Sequence, residues 1–594
     1  MRLTRRHLLA AASLAALVPL DLAAAAEVGG SPQDAAFAKV SKDWLEGYLK
    51  LSPAFATIIG DHRYDAELDD VSAAGRAARI RFNKDVLAAL EAIPHAGLSR
   101  ANQVDAAILG NQVRGQIWTD EVLQDWAWDP LIYSNIAGSA LDGLMAREFA
   151  PLPDRLRSAA GRMEKLPAFL AQSRKELQPA RVPKIHAETM VGQNKGLHSL
   201  VAQVTAQAGV LGGADRARLD AAAAGLTRAI DEHQAWLENE LVPAAAGDFR
   251  IGAEKYDRKL AFALNSPLSR AEIKTKALAA LTDIRAQMYG IARGVVAGRP
   301  GAPDAPANPS PEQQQKVIEA ALELAYDRKP ARGGLVEEAE RQLKQTTDFV
   351  RAKGLVTVPT EPVKIILTPE YQRGVAVAYC DPPGPLDKGQ STFYKISPIP
   401  DDWTDAQADS FLREYNVYGM QEVTIHEAMP GHYLQLAHSN RYPSVLRSVL
   451  YSGSFVEGWA VYAQDVMAEA GYLGGDPLYL LAHLKLHLRV IANAILDQGV
   501  HVDGMSREAA MELMTVQAFQ QEREAAGKWV RAQVSSAQLP TYFVGWQEHW
   551  ALRREAEKRW GADFNLMRYH DKVLSFGSPP ARFVGQLMFD QPIA

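Results

Sequence analysis

The stretch 424–435, "TIHEAMPGHYLQ", decides how the second half of this chain folds, because it joins a metal-binding pattern to two helix breakers. In the usual HExxH pattern, two histidines lie four residues apart on one face of a helix, and the glutamate acts as a base. Here His432 follows His426 by six residues. On a regular helix this spacing separates the two side chains by about 240° around the axis, so they would not share a metal ion.

The residues between the two histidines offer a way to bring them together. Pro430 has no amide hydrogen, and in a regular helix its ring would clash with the carbonyl of His426. Gly431 widens the range of backbone conformations open to the chain. We therefore predict that residues 429–431 leave regular α-helix and that the imidazoles of His426 and His432 converge. The alternative is an accidental His-Glu pair beside an unrelated histidine.

A third metal ligand is predicted on the next helix. The segment "SFVEGWAVYAQ" carries Glu457, 25 residues after His432. A catalytic zinc ion takes three protein ligands and keeps one position open. A glutamate on a second helix is the third ligand in the gluzincin arrangement, in which Glu427 would stay off the metal and activate the water. The alternative for Glu457 is an exposed glutamate at a helix start, where the helix dipole favours a negative charge.

A second histidine pair competes for the same interpretation. His483 and His487, in "HLKLH", have true four-residue spacing on a helix. They lack an adjacent glutamate and a clear third ligand, so we interpret them as a packing pair.

Around these motifs the chain is mainly helical. Apolar residues recur at three- and four-residue spacing through most of residues 33–293, with many good helix formers. Five prolines interrupt the chain at 297–314. Short β-branched segments at 355–398 predict a small sheet, and helices resume from 403 onward. We expect a helical N-terminal lobe at 27–296, a Pro-rich connection at 297–314 and a catalytic lobe at 315–594.

The first 26 residues have the pattern of an export signal. Arg5-Arg6 precedes a short apolar run and a row of small residues that ends at Ala26. This order is typical of a twin-arginine signal, and it predicts a periplasmic or secreted protein after cleavage. The alternative is a retained membrane anchor. No other segment is expected to span a membrane.

Composition excludes several classes of protein. The chain has 594 residues, 47% of them hydrophobic and 23% charged, which is typical of a soluble globular protein. The net charge of −6 gives no electrostatic case for nucleic acid binding. The single cysteine, Cys380, excludes an intramolecular disulfide and a cysteine-rich zinc site.

Several segments together resemble the bacterial domain-of-unknown-function family number 885. They span residues 50 to 590 and comprise "ATIIGDHRYDAELDDVS", "AYCDPPGPLDKGQSTFYKI", "TIHEAMPGHYLQ", "SFVEGWAVYAQ", "LRVIANAILDQGVHVDGMSREAAMELM", "SSAQLPTYFVG" and "RYHDKVLSFGSPP". That family resembles zinc peptidases of the gluzincin kind, with a mostly helical fold similar to thimet oligopeptidase. The resemblance implies a mainly α, two-lobed fold around a deep cleft, with the small sheet beside one Zn²⁺ ion.

The resemblance also implies the remaining site residues. Tyr542 and His501 are candidates for stabilising the oxyanion of the tetrahedral intermediate. The alternatives are an aromatic core residue for Tyr542 and a capping histidine for His501. The substrate-binding candidates are Arg489, Gln538, Tyr394 and His570. Arg489 would pair with a substrate carboxylate, or alternatively with Asp497. Tyr394 lies on a predicted strand that an extended peptide would extend.

Three positions depart from the family pattern. Gln464 stands where a glutamate is common, so an amide replaces a carboxylate near the metal site. Cys380 replaces a common tyrosine in the pocket wall. Asn493 occupies a position that is often arginine, which puts the contact with a substrate carboxylate in doubt.

The expected function is a zinc-dependent hydrolase that cleaves amide bonds of short peptides. Its ligands would be His426, His432 and Glu457, with Glu427 as general base. One alternative is a zinc amidase that acts on non-peptide or isopeptide bonds. A second alternative, of another class, is a metal-free binding protein on the same scaffold. No membrane association is expected once the signal is removed.

Overall fold

The computed structural model describes residues 30–369 and 377–593. The predicted export signal at 1–26 lies outside the described residues. The described part is mainly α-helical with one small sheet, which confirms the predicted mainly α class and the small sheet.

The chain begins with a layer of helices around Trp44 and Leu109, which are buried. Ser31 caps the first helix through a reciprocal capping box, and Pro32 occupies its first turn. Leu446, from much later in the chain, packs into the same core. The helices of this layer are α1 (Pro32–Leu51), α2 (Pro53–Ile58), α3 (Ala73–Glu91) and α4 (Arg100–Trp118).

A second group of helices has its own apolar core. Arg162 within it is fully buried and donates hydrogen bonds to the carbonyl oxygens of Ala140, at 2.7 Å, and Pro53, at 3.0 Å. Since Pro53 begins α2, this guanidinium ties the two groups together. The second group comprises α5 (Leu131–Met145), α6 (Leu152–Glu176), α7 (Lys184–Ala206), α8 (Gly213–Trp236) and the short α9 (Val242–Ala244).

The Pro-rich connection joins two helices of a third and larger core. Two helices precede it, α10 (Gly252–Leu264) and α11 (Arg270–Val296), and two follow it, α12 (Pro311–Tyr326) and α13 (Leu335–Lys353). Tyr256 and Met288, before the prolines, share this core with Val317, after them. The segment between Val296 and Pro311 therefore lies within one packed unit.

The predicted sheet at 355–398 is present, with three described strands: β1 (Val363–Leu367), β2 (Ala378–Asp381) and β3 (Thr392–Ile396). Their order is β1-β3-β2, with β1 parallel and β2 antiparallel to the central β3. Strand β2 is thus an edge strand, and this edge faces the functional site described below.

The remaining helices complete the large core. They are α14 (Asp405–Glu414), α15 (Val417–Glu427), α16 (His432–Ser439), α17 (Val445–Val449), α18 (Gly453–Glu469), α19 (Pro477–His501), α20 (Arg507–Glu512), α21 (Glu522–Val534), α22 (Pro540–Trp560), α23 (Leu566–Leu574) and α24 (Ala581–Met588).

Helix α19 runs through the middle of the large core. By length and composition it would be able to cross a membrane, which the sequence analysis did not expect of any segment after the signal. However, 78% of its most apolar window is buried by other helices. Its hydrophobicity is therefore explained by its position as a core helix.

Charged contacts fasten the N-terminal helices to the second half of the chain. Arg447, fully buried, pairs with Asp105 at 2.7 Å. His62 lies between two carboxylates, with Nδ1 3.1 Å from Asp65 and Nε2 3.2 Å from Asp387. Burial alone would lower the pKa of His62, but the hydrogen bonds to Asp387 and Asp65 raise it to about 9. His62 thus joins the two halves of the chain.

Candidate metal and catalytic site

The HEAMPGH segment leaves the helix where the sequence predicts it. Helix α15 ends at Glu427, and α16 begins at His432. Between them the amide of Gly431 donates to the carbonyl of Ile425 at 2.9 Å, six residues back instead of four. The Met429–Pro430 peptide bond is cis. The backbone thus makes a widened turn that replaces one turn of regular helix.

Gly431 is required by the close approach of the chain to itself. A Cβ atom at this position would lie 2.0 Å from the carbonyl oxygen of His426 and 2.3 Å from that of Ile425. The turn is also fixed from outside, because the indole of Trp459 donates to the carbonyl of Pro430 at 2.9 Å. Trp459 lies two residues after Glu457 on α18, so one helix both locks the turn and carries the third candidate ligand.

Three side chains converge at the end of this turn. The Nε2 atoms of His426 and His432 lie 3.5 and 3.3 Å from Oε2 of Glu457. One ligand atom from each residue lies within 4.8 Å of the others. Burial alone would raise the pKa of Glu457, but the two imidazoles lower it well below its usual range. The predicted convergence of the two imidazoles is confirmed.

A close helix crossing places Glu457. Gly458 on α18 packs directly on Gly545 of α22, and a Cβ atom at Gly458 would lie 2.2 Å from the carbonyl carbon of Gly545. A Cβ atom at Gly545 would lie only 1.8 Å from the carbonyl oxygen of Ser454. The crossing brings Glu457 together with Tyr542, one turn before Gly545.

The substitution Gly545→Ala should therefore push α22 away from α18. We expect a loss of about 1–3 kcal/mol in the free energy of unfolding, because the added methyl group has no space. Thermal unfolding measures this effect. The matched control is Gly290→Ala on α11, an exposed helical glycine with open space around it, which should stabilise the protein by up to about 1 kcal/mol. Equal unfolding temperatures for the two variants would contradict the close crossing.

Glu427 lies beside the three converging groups without joining them. Its Oε2 accepts a hydrogen bond from the backbone amide of Cys380 on β2 at 2.9 Å. Burial raises its pKa to about 7, with a contribution from Glu457, while His426 and the Cys380 amide act in the opposite direction. The edge strand thus holds the carboxylate in place next to the candidate metal ligands.

Tyr542 forms the opposite wall. Its ring stacks near the imidazole of His426, with ring centroids 6.2 Å apart. Its hydroxyl lies 3.4 Å from Arg531, and Arg531 also donates to Oε1 of Gln538 at 2.9 Å. Burial, followed by the charge of Glu457, raises the pKa of Tyr542 to about 12. The phenol therefore keeps its proton at neutral pH and can donate a hydrogen bond.

These groups line one cavity of about 620 Å³. Helices α5 and α7 of the second N-terminal group close one side, and the large core forms the other. The cavity lining includes Ser134, Gln193, Tyr379, Cys380, Glu422, His426, Glu427, His432, Glu457, Gln464, Arg489, Asn493, Lys528, Arg531 and Tyr542.

Comparison with known proteins identifies the family. The sequence profile of a family described as "Bacterial protein of unknown function (DUF885)" matches residues 53–588. The chain belongs to the DUF885 family. The resemblance found in the sequence is thereby confirmed, although the family description states no activity. No curated protein matches the chain.

Two solved structures are similar to this DUF885 chain over nearly its whole length. "A putative lipoprotein of unknown function from Shewanella oneidensis" is 34% identical, with a TM-score of 0.78, and the match covers 93% of this chain and 99% of that chain. "The putative lipoprotein from Colwellia psychrerythraea" is 17% identical, with a TM-score of 0.76, and the match covers 94% and 99%. The second likeness shows the fold alone.

Two histidines predicted at the site of this DUF885 member lie elsewhere. His501 is buried, and its Nε2 contacts the carbonyl oxygens of Ala532 and Ser535 at 2.8 and 2.7 Å, so it caps the end of α21. His570 is buried between the hydroxyl of Tyr462, at 2.8 Å, and the carbonyl of Leu355, at 2.7 Å. Neither lines the cavity. The structure does not support an oxyanion role for His501 or a substrate role for His570.

Tyr394 and Gln538 also differ from expectation. Tyr394 is fully buried on β3, with its hydroxyl 3.2 Å from Thr424. Since β3 lies between β1 and β2, an incoming peptide has no access to it, and the accessible edge belongs to β2. Gln538 does not line the cavity; its Oε1 accepts a hydrogen bond from Arg531, which does line it.

Arg489 does line the cavity, but it already has protein partners. Its guanidinium lies 2.5 Å from Glu524 and donates to the hydroxyl of Tyr415 at 3.1 Å. The alternative pairing with Asp497 is not formed. Glu524 and Tyr415 therefore hold Arg489 at the cavity wall.

Sequence reasoning missed two cationic residues of α21, Lys528 and Arg531. Both line the cavity. Their spacing of three residues places them on one helical face, but a basic pair on a polar helix ordinarily indicates a solvent-exposed face. Their position before "SSAQLPTYFVG", which carries Tyr542, was the one signal that connected them with the site.

The rival pair His483 and His487 acquires a carboxylate partner, which the sequence analysis did not expect. Their Nε2 atoms lie 3.2 and 2.9 Å from Oδ1 of Asp465, and Nδ1 of His483 lies 3.3 Å from Glu422. Burial alone would lower the pKa of His483, but Glu422 and Asp465 raise it to about 10. The two carboxylates account for a packing role. The three-residue group also has the composition of a metal site, which makes it a useful control.

Proposed function

We propose that this chain is a zinc-dependent hydrolase that cleaves amide bonds of short peptides, with Glu427 as its general base. The observation that carries the proposal is the convergence of His426, His432 and Glu457 beside Glu427 in one cavity. Two imidazoles and one carboxylate are a ligand set of catalytic zinc, and they leave its fourth position open.

The geometry of the three groups fits a zinc ion. Zinc binds nitrogen and oxygen at about 2.0–2.1 Å in a tetrahedron, which puts neighbouring ligand atoms about 3.3 Å apart. The two nitrogen–oxygen distances of 3.3 and 3.5 Å agree with this value. Oε2 of Glu457 is buried and accepts no well-directed hydrogen bond from any described residue, although both imidazoles lie beside it. One ligand atom from each of the three groups lies within 4.8 Å of the others, which is close enough for them to share one ion.

Each side chain has a role in the proposed reaction. A zinc ion bound at this point would polarise the scissile carbonyl and lower the pKa of water. Glu427 takes a proton from the attacking water and passes it to the leaving nitrogen. The phenol of Tyr542 donates a hydrogen bond to the carbonyl oxygen as negative charge develops there. The Cys380 amide keeps Glu427 oriented throughout.

The cavity limits the size of the substrate. A volume of about 620 Å³ lies within the range of about 300–1,000 Å³ that is usual for sites of small ligands. We interpret the space between the N-terminal helices and the large core as the cleft of a two-lobed fold similar to thimet oligopeptidase. Such a cleft admits a short peptide and excludes a folded chain.

We further infer that the protein is exported. The two similar structures are described as lipoproteins, and residues 1–26 carry the twin-arginine pattern. We therefore expect a periplasmic or secreted protein.

A digest of a mixed peptide library, followed by mass spectrometry, tests the activity. The wild-type protein loaded with zinc should produce new termini from short peptides. The Glu427→Gln variant, loaded with zinc in the same way, is the control and should not. If zinc is bound but no peptide is cut, the peptidase proposal fails and an amidase becomes the better account. If no zinc is bound, the metal-free binding protein becomes the better account.

A further inference from the structure

The cavity contains a cation that the proposed chemistry does not use. Lys528 on α21 is only 5% exposed, yet it lines the cavity. Its ammonium group forms neither a hydrogen bond nor an ion pair with any described residue. Lysine offers three donors, and burying an unpaired charge costs several kcal/mol, about 3–5 kcal/mol when a partner is missing. Because no described residue offsets this cost, we expect an anionic group of the substrate to pair with Lys528.

The cations around Lys528 form a wall with an excess of positive charge. Arg489 is paired with Glu524, whereas the hydrogen bonds of Arg531 to described residues go to the neutral groups of Gln538 and Tyr542, and Glu457 acts on it only through its charge. Burial, followed by the charges of Arg489 and Arg531, lowers the pKa of Lys528 well below its usual range, although the charges of Glu524 and Glu457 act in the opposite direction. An anion that pairs with the ammonium group would raise the pKa of Lys528 again.

This cationic wall lies within reach of the candidate metal site. Tyr542 connects the two, since its ring stacks near His426 and its hydroxyl lies 3.4 Å from Arg531. An extended peptide spans about 3.4 Å per residue, so two or three residues are long enough to reach from the candidate metal site past Tyr542 to Arg531. A peptide whose carbonyl lies at the metal site would therefore place a carboxylate a short distance beyond it against Lys528.

We propose that Lys528, together with Arg531, binds the C-terminal carboxylate of the substrate, so that the enzyme acts at the C-terminal end of short peptides. The proposal rests on the proposed function and adds the class of substrate to it. It accounts for a buried cation without a partner, and it assigns exopeptidase action in place of internal cleavage. Lys528 binds substrate and takes no part in bond breaking.

The test compares matched peptides that differ at one group. Each sequence is prepared as the free acid, as the C-terminal amide, and as the amide with a glutamate next to the C-terminus. We expect wild-type kcat/KM for the free acids to exceed that for the amides by at least about 30-fold, since the loss of a buried charge partner costs about 2–5 kcal/mol. The glutamate-containing amides should behave like the other amides.

Two substitutions of Lys528 and one control substitution elsewhere locate the effect. Lys528→Met should reduce the preference for the acid to a few-fold, chiefly through a higher KM, and Lys528→Arg should keep most of it. Lys558→Met, at an exposed position of α22, should leave the preference unchanged. Because Lys528→Met removes an unpaired buried charge, it should also raise the unfolding temperature, whereas a purely structural lysine would lower it.

Binding without turnover separates this proposal from the proposed function. The zinc-loaded Glu427→Gln protein should bind the free acid more tightly than the amide, as measured by calorimetry. Adding Lys528→Met to this variant should remove the difference in affinity. Equal cleavage and binding of acids and amides would overturn the proposal while the hydrolase stands. If the glutamate-containing amides were cleaved as fast as the free acids, a side-chain carboxylate would serve equally well, and the assignment to the C-terminal carboxylate would be wrong. No cleavage of any peptide would overturn the proposed function itself.

Discussion

Glu427→Gln should abolish turnover and leave the metal in place. Glu427 is next to His426 in sequence, but its carboxylate lies outside the group formed by His426, His432 and Glu457. Glutamine has nearly the same shape and can still accept the hydrogen bond from the Cys380 amide. It cannot take a proton from water. We therefore expect a fall in kcat of about 10²–10⁴-fold.

The measurement combines cleavage rate with zinc content on the same sample. The control is Glu508→Gln, an exposed glutamate on α20 that should change neither quantity. Unchanged turnover in Glu427→Gln would rule out this residue as the base. Loss of zinc in this variant would instead show that Glu427 is a metal ligand, which the described geometry does not predict.

Glu457→Ala should remove both zinc and activity. Glu457 supplies the only carboxylate of the candidate metal site, and its Oε2 has no other partner among the described residues. Removing the hydrogen-bond partners of metal ligands already costs about 10–100-fold in affinity, so removing a ligand should cost at least about 100-fold. Zinc content after dialysis and the dissociation constant for zinc measure the loss.

A variant of the second histidine group provides the matched control. His487→Gln changes the Asp465, His483 and His487 group, which also has the composition of a metal site. We expect this variant to retain zinc at the wild-type level. If His487→Gln lost zinc and Glu457→Ala retained it, the ion would belong to the Asp465, His483 and His487 group, and our assignment would be wrong.

The turn in the HEAMPGH segment was predictable because it follows from local chemistry. Pro430 removes an amide donor and Gly431 removes a side chain, so the regular helix is excluded whatever surrounds it. The observed widened turn, with the Gly431 amide bonded to the carbonyl of Ile425, is a direct consequence. The convergence with Glu457 was predictable from spacing together with the need for a third ligand.

The misplaced residues depend on packing, which spacing does not reveal. His501 and His570 satisfy their ring nitrogens with groups that are distant in sequence, such as the carbonyls of Ser535 and Leu355. Tyr394 was expected at a sheet edge, but the order β1-β3-β2 places its strand in the centre. Strand order is set by tertiary contacts and is not readable from a short β-branched segment.

Lys528 was overlooked for a related reason. The helix pattern around it predicts a solvated charge, since buried lysines without partners are rare. Only the arrangement of α21 against α19 and α22 shows that it faces the cavity. Residues that violate the usual rules of burial are often those that bind a ligand, and here the violation became visible only in three dimensions.

Titration of the metal-free protein with zinc tests the central claim most directly. The protein is stripped with a chelator, and peptide cleavage is followed as zinc is added in fractions of one equivalent. We expect cleavage to be absent at the start, to rise in proportion to zinc and to stop rising at one ion per chain. Full cleavage by the stripped protein, or no cleavage after one ion has bound, would contradict it.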